Sequence, residues 1–182
     1  MLFSADAPDP RTRFLRWQER HAVAVAQYGR YLADHGVDTV VPMPQLLRTG
    51  RRWRTCGDEF AVPPRQAWPA IVPTLRLLAD LRRRGLLAGE SRVDSAWRSP
   101  VFNACAGGAP RSRHVTNGAL DLEWIAPPGA METLCAAWLK EGPARDWGLG
   151  FYSPTRLHLD TAGWRTWGRD HRWPTSLCML ED

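Results

Sequence analysis

Between Arg156 and Asp160 the chain reads Arg-Leu-His-Leu-Asp, and this strict alternation restricts the fold more than any other feature. Residues two apart share one face of a strand. Leu157 and Leu159 therefore face a core, while Arg156, His158 and Asp160 face the other way. The stretch from Ala119 to Ile125 repeats the pattern more loosely. There Ala119, Asp121 and Glu123 share one face, and Leu120, Leu122 and Trp124 the other. Two such strands side by side build a sheet with one apolar face and one polar face, and bring Asp121 and His158 together.

His114 enters from the loop before the first of these strands, with Gly118 allowing the turn. The chain has only five histidines. Two imidazoles and a carboxylate suit a catalytic zinc, which takes three protein ligands and keeps a fourth position for water. On residue types alone an alternative stays open, in which the histidines are hydrogen-bonded structural residues and the aspartate belongs to a turn.

The rest of the chain supplies helices around the sheet. Asp9-Pro10 pairs an N-cap with proline at the first helical position and predicts a helix running to about Asp34, stopped by Gly36. Residues 37–65 are rich in proline, glycine and arginine and predict irregular chain. The arginines between Arg48 and Arg54 read as a solvated face. From Gln66 to Arg84, Trp68, Ile71, Val72, Leu75, Leu78 and Ala79 fall on one helical face, three arginines favour the last turn, and Gly85 ends it. A strand over 91–97, a short helix over 100–106, a helix over 129–140 and a strand over 147–152 complete the order. It is that of an α+β domain with an antiparallel sheet and helices packed on one side. The expected division is a helical extension and linker over residues 1–57, then a domain over 58–182.

Composition narrows the partners less. The net charge is +5, which suits anionic partners without choosing among them. Ten tryptophans provide core, and a few of them suit a groove for sugar or peptide. Charge and tryptophan alone make a weak case for nucleic acid, no motif supports it, and none is expected as a partner. There is no run of 18 or more apolar residues, so no transmembrane segment is expected, and no signal peptide is visible in Met1 to Pro10. Cys56, Cys105, Cys135 and Cys178 lack zinc-type spacing. They allow two disulfides in three connectivities, or four buried thiols.

From Val93 onward the chain resembles the M15-type zinc peptidases, the D-alanyl-D-alanine carboxypeptidase and murein endopeptidase family, whose domains share a hedgehog-like, D,D-peptidase-like fold. The family core Ser-x-His-x-x-Gly-x-Ala-x-Asp is met by Ser112, His114, Ala119 and Asp121 in register. Upstream, Ser95-Ala96-Trp97-Arg98-Ser99-Pro100-Val101-Phe102-Asn103 resembles the family's Ser-Gly-Tyr-Arg-Ser-Pro-x-x-Asn, followed by Gly107-Gly108. Downstream, Gly148-Leu149-Gly150-Phe151-Tyr152 and His158-Leu159-Asp160 resemble its Gly-x-Gly-x-Tyr and His-x-Asp. The blocks come in the right order and extend at most from near Asp58 to Trp167.

The resemblance implies a zinc peptidase of the periplasm or cell exterior, cleaving peptidoglycan stem peptides or crosslinks. It implies His114, Asp121 and His158 as zinc ligands, Arg98 as a catalytic arginine near the scissile bond, and Arg98, Asn103 and Ser112 as substrate contacts. Ser112 is expected to orient its loop or donate to Asp121. Two positions depart from the pattern. Asn117 stands for the family glycine, and Asn visits left-handed backbone readily. Thr155 stands where several branches carry the catalytic carboxylate. Asp160 is then the expected general base, or equally the partner of a ligand histidine, with Glu123 next in line. A non-catalytic, metal-containing domain that binds cell wall or a partner is the alternative that Thr155 motivates.

Overall fold

In the computed structural model, which describes residues 8–179, a five-stranded sheet carries helices against its apolar face. The strands are β1 (Glu90–Ser95), β2 (Ala119–Ile125), β3 (Gly148–Ser153), β4 (Arg156–Asp160) and β5 (Arg165–Trp167), in the order β1-β2-β4-β3-β5. The first four pair antiparallel, as the alternation predicts. The sheet is mixed rather than antiparallel because β5 runs parallel to β3. Its cause is local. β4 ends opposite Gly148, where β3 begins, and residues 161–164 wrap round that end, with the Gly163 amide donating to the Asp146 carbonyl. The chain then sets off beside β3 in the same direction. Three residues are too few to show an alternation, so β5 has no signal in the sequence.

The helices are α1 (Pro10–Arg20), α2 (Ala22–Asp34), α3 (Met43–Leu46), α4 (Trp53–Cys56), α5 (Ile71–Arg83), α6 (Pro100–Cys105) and α7 (Ala130–Glu141). Asp9 caps α1 as expected, accepting from the amides of Arg11 and Thr12 at 2.9 and 3.2 Å. The expected single helix to Asp34 breaks at His21. Its Nδ1–H donates to the Trp17 carbonyl at 2.7 Å, so the backbone amide turns to Gln18 instead. The helix expected from Gln66 begins as a 3-10 turn, Arg65–Ala70, because Pro69 has no amide to donate, and becomes α-helical only at Ile71. Ile71, Leu75 and Leu78 of α5 are fully buried, and α5 lies against β2 and β4.

The apolar side of the sheet, with Leu120, Leu122, Trp124, Leu149, Phe151, Leu157 and Leu159, joins one continuous core. That core also takes in Phe14, Trp17, Tyr28 and Leu32 from α1 and α2, and Leu46 and Leu47 from the segment read as irregular. Cys56 pairs with Cys105 and Cys135 with Cys178, which selects one of the three connectivities. Among the described residues no helix is long and apolar enough to cross a membrane.

Candidate active site

The polar face of the sheet is organised in rows across the strands. Ser95 of β1 sits opposite Asp121 of β2, Asp121 opposite His158 of β4, His158 opposite Gly150 of β3, and Gly150 beside Trp167 of β5. In the next row Ala119, Asp160, Gly148 and Arg165 are neighbours. The two glycines of β3 are required by these neighbours. A Cβ at Gly148 would stand 2.6 Å from Asp160 Oδ1, and one at Gly150 would collide with the Trp167 indole.

His114 reaches this face from the 107–118 loop, where Ser112 Oγ accepts from the His114 amide at 3.4 Å rather than donating to Asp121. At the end of that loop the left-handed residue is Asn117, at φ 61°, not Gly118. The Asn117 side chain is buried and donates to the Ala67 carbonyl at 3.2 Å. The substitution of asparagine for the family glycine thus keeps the turn and ties it to the α5 region.

His114 Nε2 and His158 Nδ1 each lie 3.0 Å from Asp121 Oδ1, and the three groups, all buried, offer ligand atoms within 4.8 Å of one another. Their outer nitrogens identify the tautomers. His114 Nδ1 faces the Ala96 carbonyl at 2.6 Å, which only accepts, so it carries the proton. His158 Nε2 faces the Asp160 carboxylate at 2.9 Å and carries its proton there. The inner nitrogen of each ring, when neutral, is then a lone pair turned toward a carboxylate oxygen. Burial pushes the His114 imidazole down to about 4, so it is neutral at physiological pH. Burial opposes ionisation of Asp121, but His114, His158 and Arg98 hold its carboxyl well below the usual range. Burial would also lower His158, yet its bonds to Asp121 and Asp160 outweigh this and raise it. Two imidazole nitrogens and a carboxylate oxygen converging in this way are the donor set a cation requires. Tetrahedral zinc with bonds of about 2.0–2.1 Å places its ligand atoms about 3.3 Å apart, close to the separations here.

The surrounding groups hold this triad in place. Arg98 donates from Nη2 to Asp121 Oδ2 at 2.5 Å and from Nε to Ser95 Oγ and the Thr49 carbonyl. Asp160 is buried, with Oδ2 shared between His158 and Arg165 and Oδ1 accepting from the Ala162 amide. Tyr152 places its hydroxyl 3.4 Å from His158 Nδ1, on the ligand side, and burial pushes its phenol up so that it stays protonated. Asn103 does not line the cleft. It donates from Nδ2 to the Ala109 carbonyl at 2.9 Å and supports the glycine turn from behind. Glu123 shares the Asp121 face but pairs with Arg92 at 2.6 Å, away from the cleft. Thr155 is exposed in the β3–β4 turn.

A cleft of about 690 Å³ opens over Asp121 and His158. Ser112, Arg98, Tyr152, Asp121 and His158 line it, as do Trp167, His171 and Trp173 from the chain after β4. Trp167 ends the stretch that resembles the family, whereas His171 and Trp173 lie beyond it and no sequence period points to them. Tyr152 was visible as part of the Gly-x-Gly-x-Tyr block.

Residues 45–160, well over half of the chain, match the protein-family model described as Peptidase M15. The match begins upstream of the blocks readable by eye, and takes in the Gly50 side of the cleft. No curated protein and no solved structure matches the chain.

Proposed function

The chain belongs to the peptidase M15 family, and from that premise we propose a zinc-dependent enzyme that hydrolyses peptidoglycan stem peptides or their crosslinks at the cell envelope. The convergence of His114 Nε2, Asp121 Oδ1 and His158 Nδ1, all buried, carries this reading. Family membership disfavours the non-catalytic alternative. Two disulfides are compatible with an oxidising compartment.

The proposed ligands are those three atoms. Zinc bound there supplies a Lewis acid for the scissile carbonyl and lowers the pKa of a water. The remaining work belongs to the chain. Asp160 and the Ala96 carbonyl fix the two imidazoles from their outer nitrogens, which sets the tautomers and strengthens the inner nitrogens as donors to a metal. Asp160 lies across the ring from His158 Nδ1 and so suits orientation better than proton abstraction. Arg98 occupies Asp121 Oδ2, leaving Oδ1 for the ion, while its Nη1 has no partner among the described residues and is free for substrate. Tyr152 is placed to donate to the oxygen on which charge develops.

We propose that His171 takes up a proton during the reaction. It lines the cleft, with its ring centroid 6.3 Å from that of Tyr152. Its loop is held by self-contacts, Gly168 with Arg172 and Asp170 with Arg172 and Thr175.

Metal analysis of the purified protein, together with identification of products from purified peptidoglycan, tests the reading. About one zinc per chain is expected, lost in His114→Ala and His158→Ala. Full occupancy in both variants overturns the ligand set, and intact peptidoglycan after incubation with the zinc-loaded protein overturns the activity. His171→Gln should keep zinc and lose roughly a hundred- to ten-thousandfold in turnover. Wild-type turnover there moves the base elsewhere.

A further inference from the structure

The cleft is unusually basic. Three of its arginines are neutralised by buried carboxylates: Arg98 by Asp121, Arg156 by Asp94 and Arg165 by Asp160. Four others, Arg51, Arg52, Arg111 and Arg113, line the same cleft, are exposed, and have no acidic partner within 4.0 Å among the described residues. Asp121 is the one carboxylate among the lining residues, and the metal group uses it.

The four also share a scaffold. Arg51 and Arg52 directly precede α4, and Arg111 and Arg113 lie on the loop that follows α6. The Cys56–Cys105 disulfide joins the ends of those two helices, with Cα atoms 5.5 Å apart. Asn103 braces the 107–109 turn between them. Two arginine pairs far apart in sequence are thus pinned into one wall. Tyr152, Trp167 and Trp173 add aromatic surface to the same cleft. A one-signed, concave wall concentrates anions. Guanidinium forks match carboxylates bidentately.

We infer that this wall selects peptides carrying two or more free carboxylates beside the bond to be cut, and discriminates against the same peptides with those groups amidated. The inference rests on the peptidase reading and specifies its substrate.

Binding tests it separately from turnover. Metal-stripped full-length protein is titrated by fluorescence anisotropy with one labelled stem tetrapeptide in two forms, its carboxylates free or converted to carboxamides. The free form should bind about tenfold or more tightly. The difference should shrink as salt rises from about 50 to about 200 mM. Arg51→Gln/Arg52→Gln and Arg111→Gln/Arg113→Gln should each lose part of the preference, and the fourfold variant should lose it all. Each variant is checked for fold by circular dichroism, and either pair alone is sufficient if the fourfold variant does not fold. Equal binding of the two peptides by the wild type overturns the inference, as does a preference untouched in folded pair variants. Tighter binding of a single-stranded oligonucleotide of equal charge overturns it in favour of phosphate. Turnover by the zinc-loaded protein is scored apart. Selective binding without cleavage sinks the peptidase reading alone, and cleavage with unselective binding sinks this inference alone.

Discussion

At the scale of single residues, the site depends on which atom of each side chain points inward. Asp160 holds His158 from behind, at Nε2. Asp160→Asn removes a charge from that bond but not the bulk. Zinc affinity should fall about ten- to a hundredfold, and activity should return on adding metal, since a partner that only orients a ligand acts through affinity. Unchanged affinity with lost turnover, measured by zinc titration and kinetics, would restore Asp160 as the base. Arg98 makes a different prediction. Asp121 is 1 % exposed, and Arg98 is its one guanidinium partner. Arg98→Ala leaves a buried charge without that partner, which costs about 3–5 kcal/mol when the other half of a buried pair is lost. Denaturant melts of the metal-free variant should show that loss, and added zinc should recover part of it by supplying a cation. Melts matching the wild type would mean that Arg98 serves substrate alone.

At the scale of elements, β3 is the strand to perturb. Its alternation places Gly148 and Gly150 on the site face, where Asp160 and the Trp167 ring occupy the space a side chain would fill. This gives the Gly-x-Gly block a steric reason that involves neither metal nor substrate directly. Gly148→Ala puts a methyl 2.6 Å from Asp160 Oδ1, and backbone on a central strand cannot retreat far. The carboxylate must swing off His158. The variant should therefore copy Asp160→Asn, with zinc affinity about ten- to a hundredfold weaker, although the glycine is not itself a ligand. Isothermal titration with zinc checks it, and wild-type affinity would show that Asp160 has room to shift without releasing the imidazole.

At the scale of the whole molecule, the first helices belong to the same core as the sheet. Leu32 of α2 is fully buried beside Tyr28, in the cluster that runs through Trp68 and Leu75 to Leu159. Leu32→Ala should cost about 2–5 kcal/mol of global stability, the range for leucine truncation in a packed core. The transition should remain single, with one midpoint by circular dichroism and by tryptophan fluorescence. Two transitions, or a cost near zero, would instead describe residues 1–57 as a separable extension of the peptidase domain. Arg13 of α1 reaches Glu59 at 2.6 Å, and Glu59 also faces Arg48, so the N-terminal helices brace the segment that leads to the arginine wall of the cleft.

What the sequence determined by itself was what depends on near neighbours in the chain. The alternation of 119–125 and 156–160, the Asp9 cap and the apolar face of α5 all follow from local periods and backbone sterics, and the structure carries each of them. Tertiary structure decided what depends on residues distant in sequence. It set Asp121 opposite His158 and brought His158 Nδ1 to 3.0 Å from Asp121 Oδ1, 37 residues away in the chain. It brought β5 in parallel round the end of β3, and with it Arg165 and Trp167. It also turned Arg51 and Arg52, read as a solvated face, into the wall of a cleft, because a disulfide joins their helix to one 49 residues further on. Local sterics act over a few residues and leave a period to read. Pairing across a sheet, a shared carboxylate or a disulfide joins residues that no period links, so these features appear only when the chain is folded.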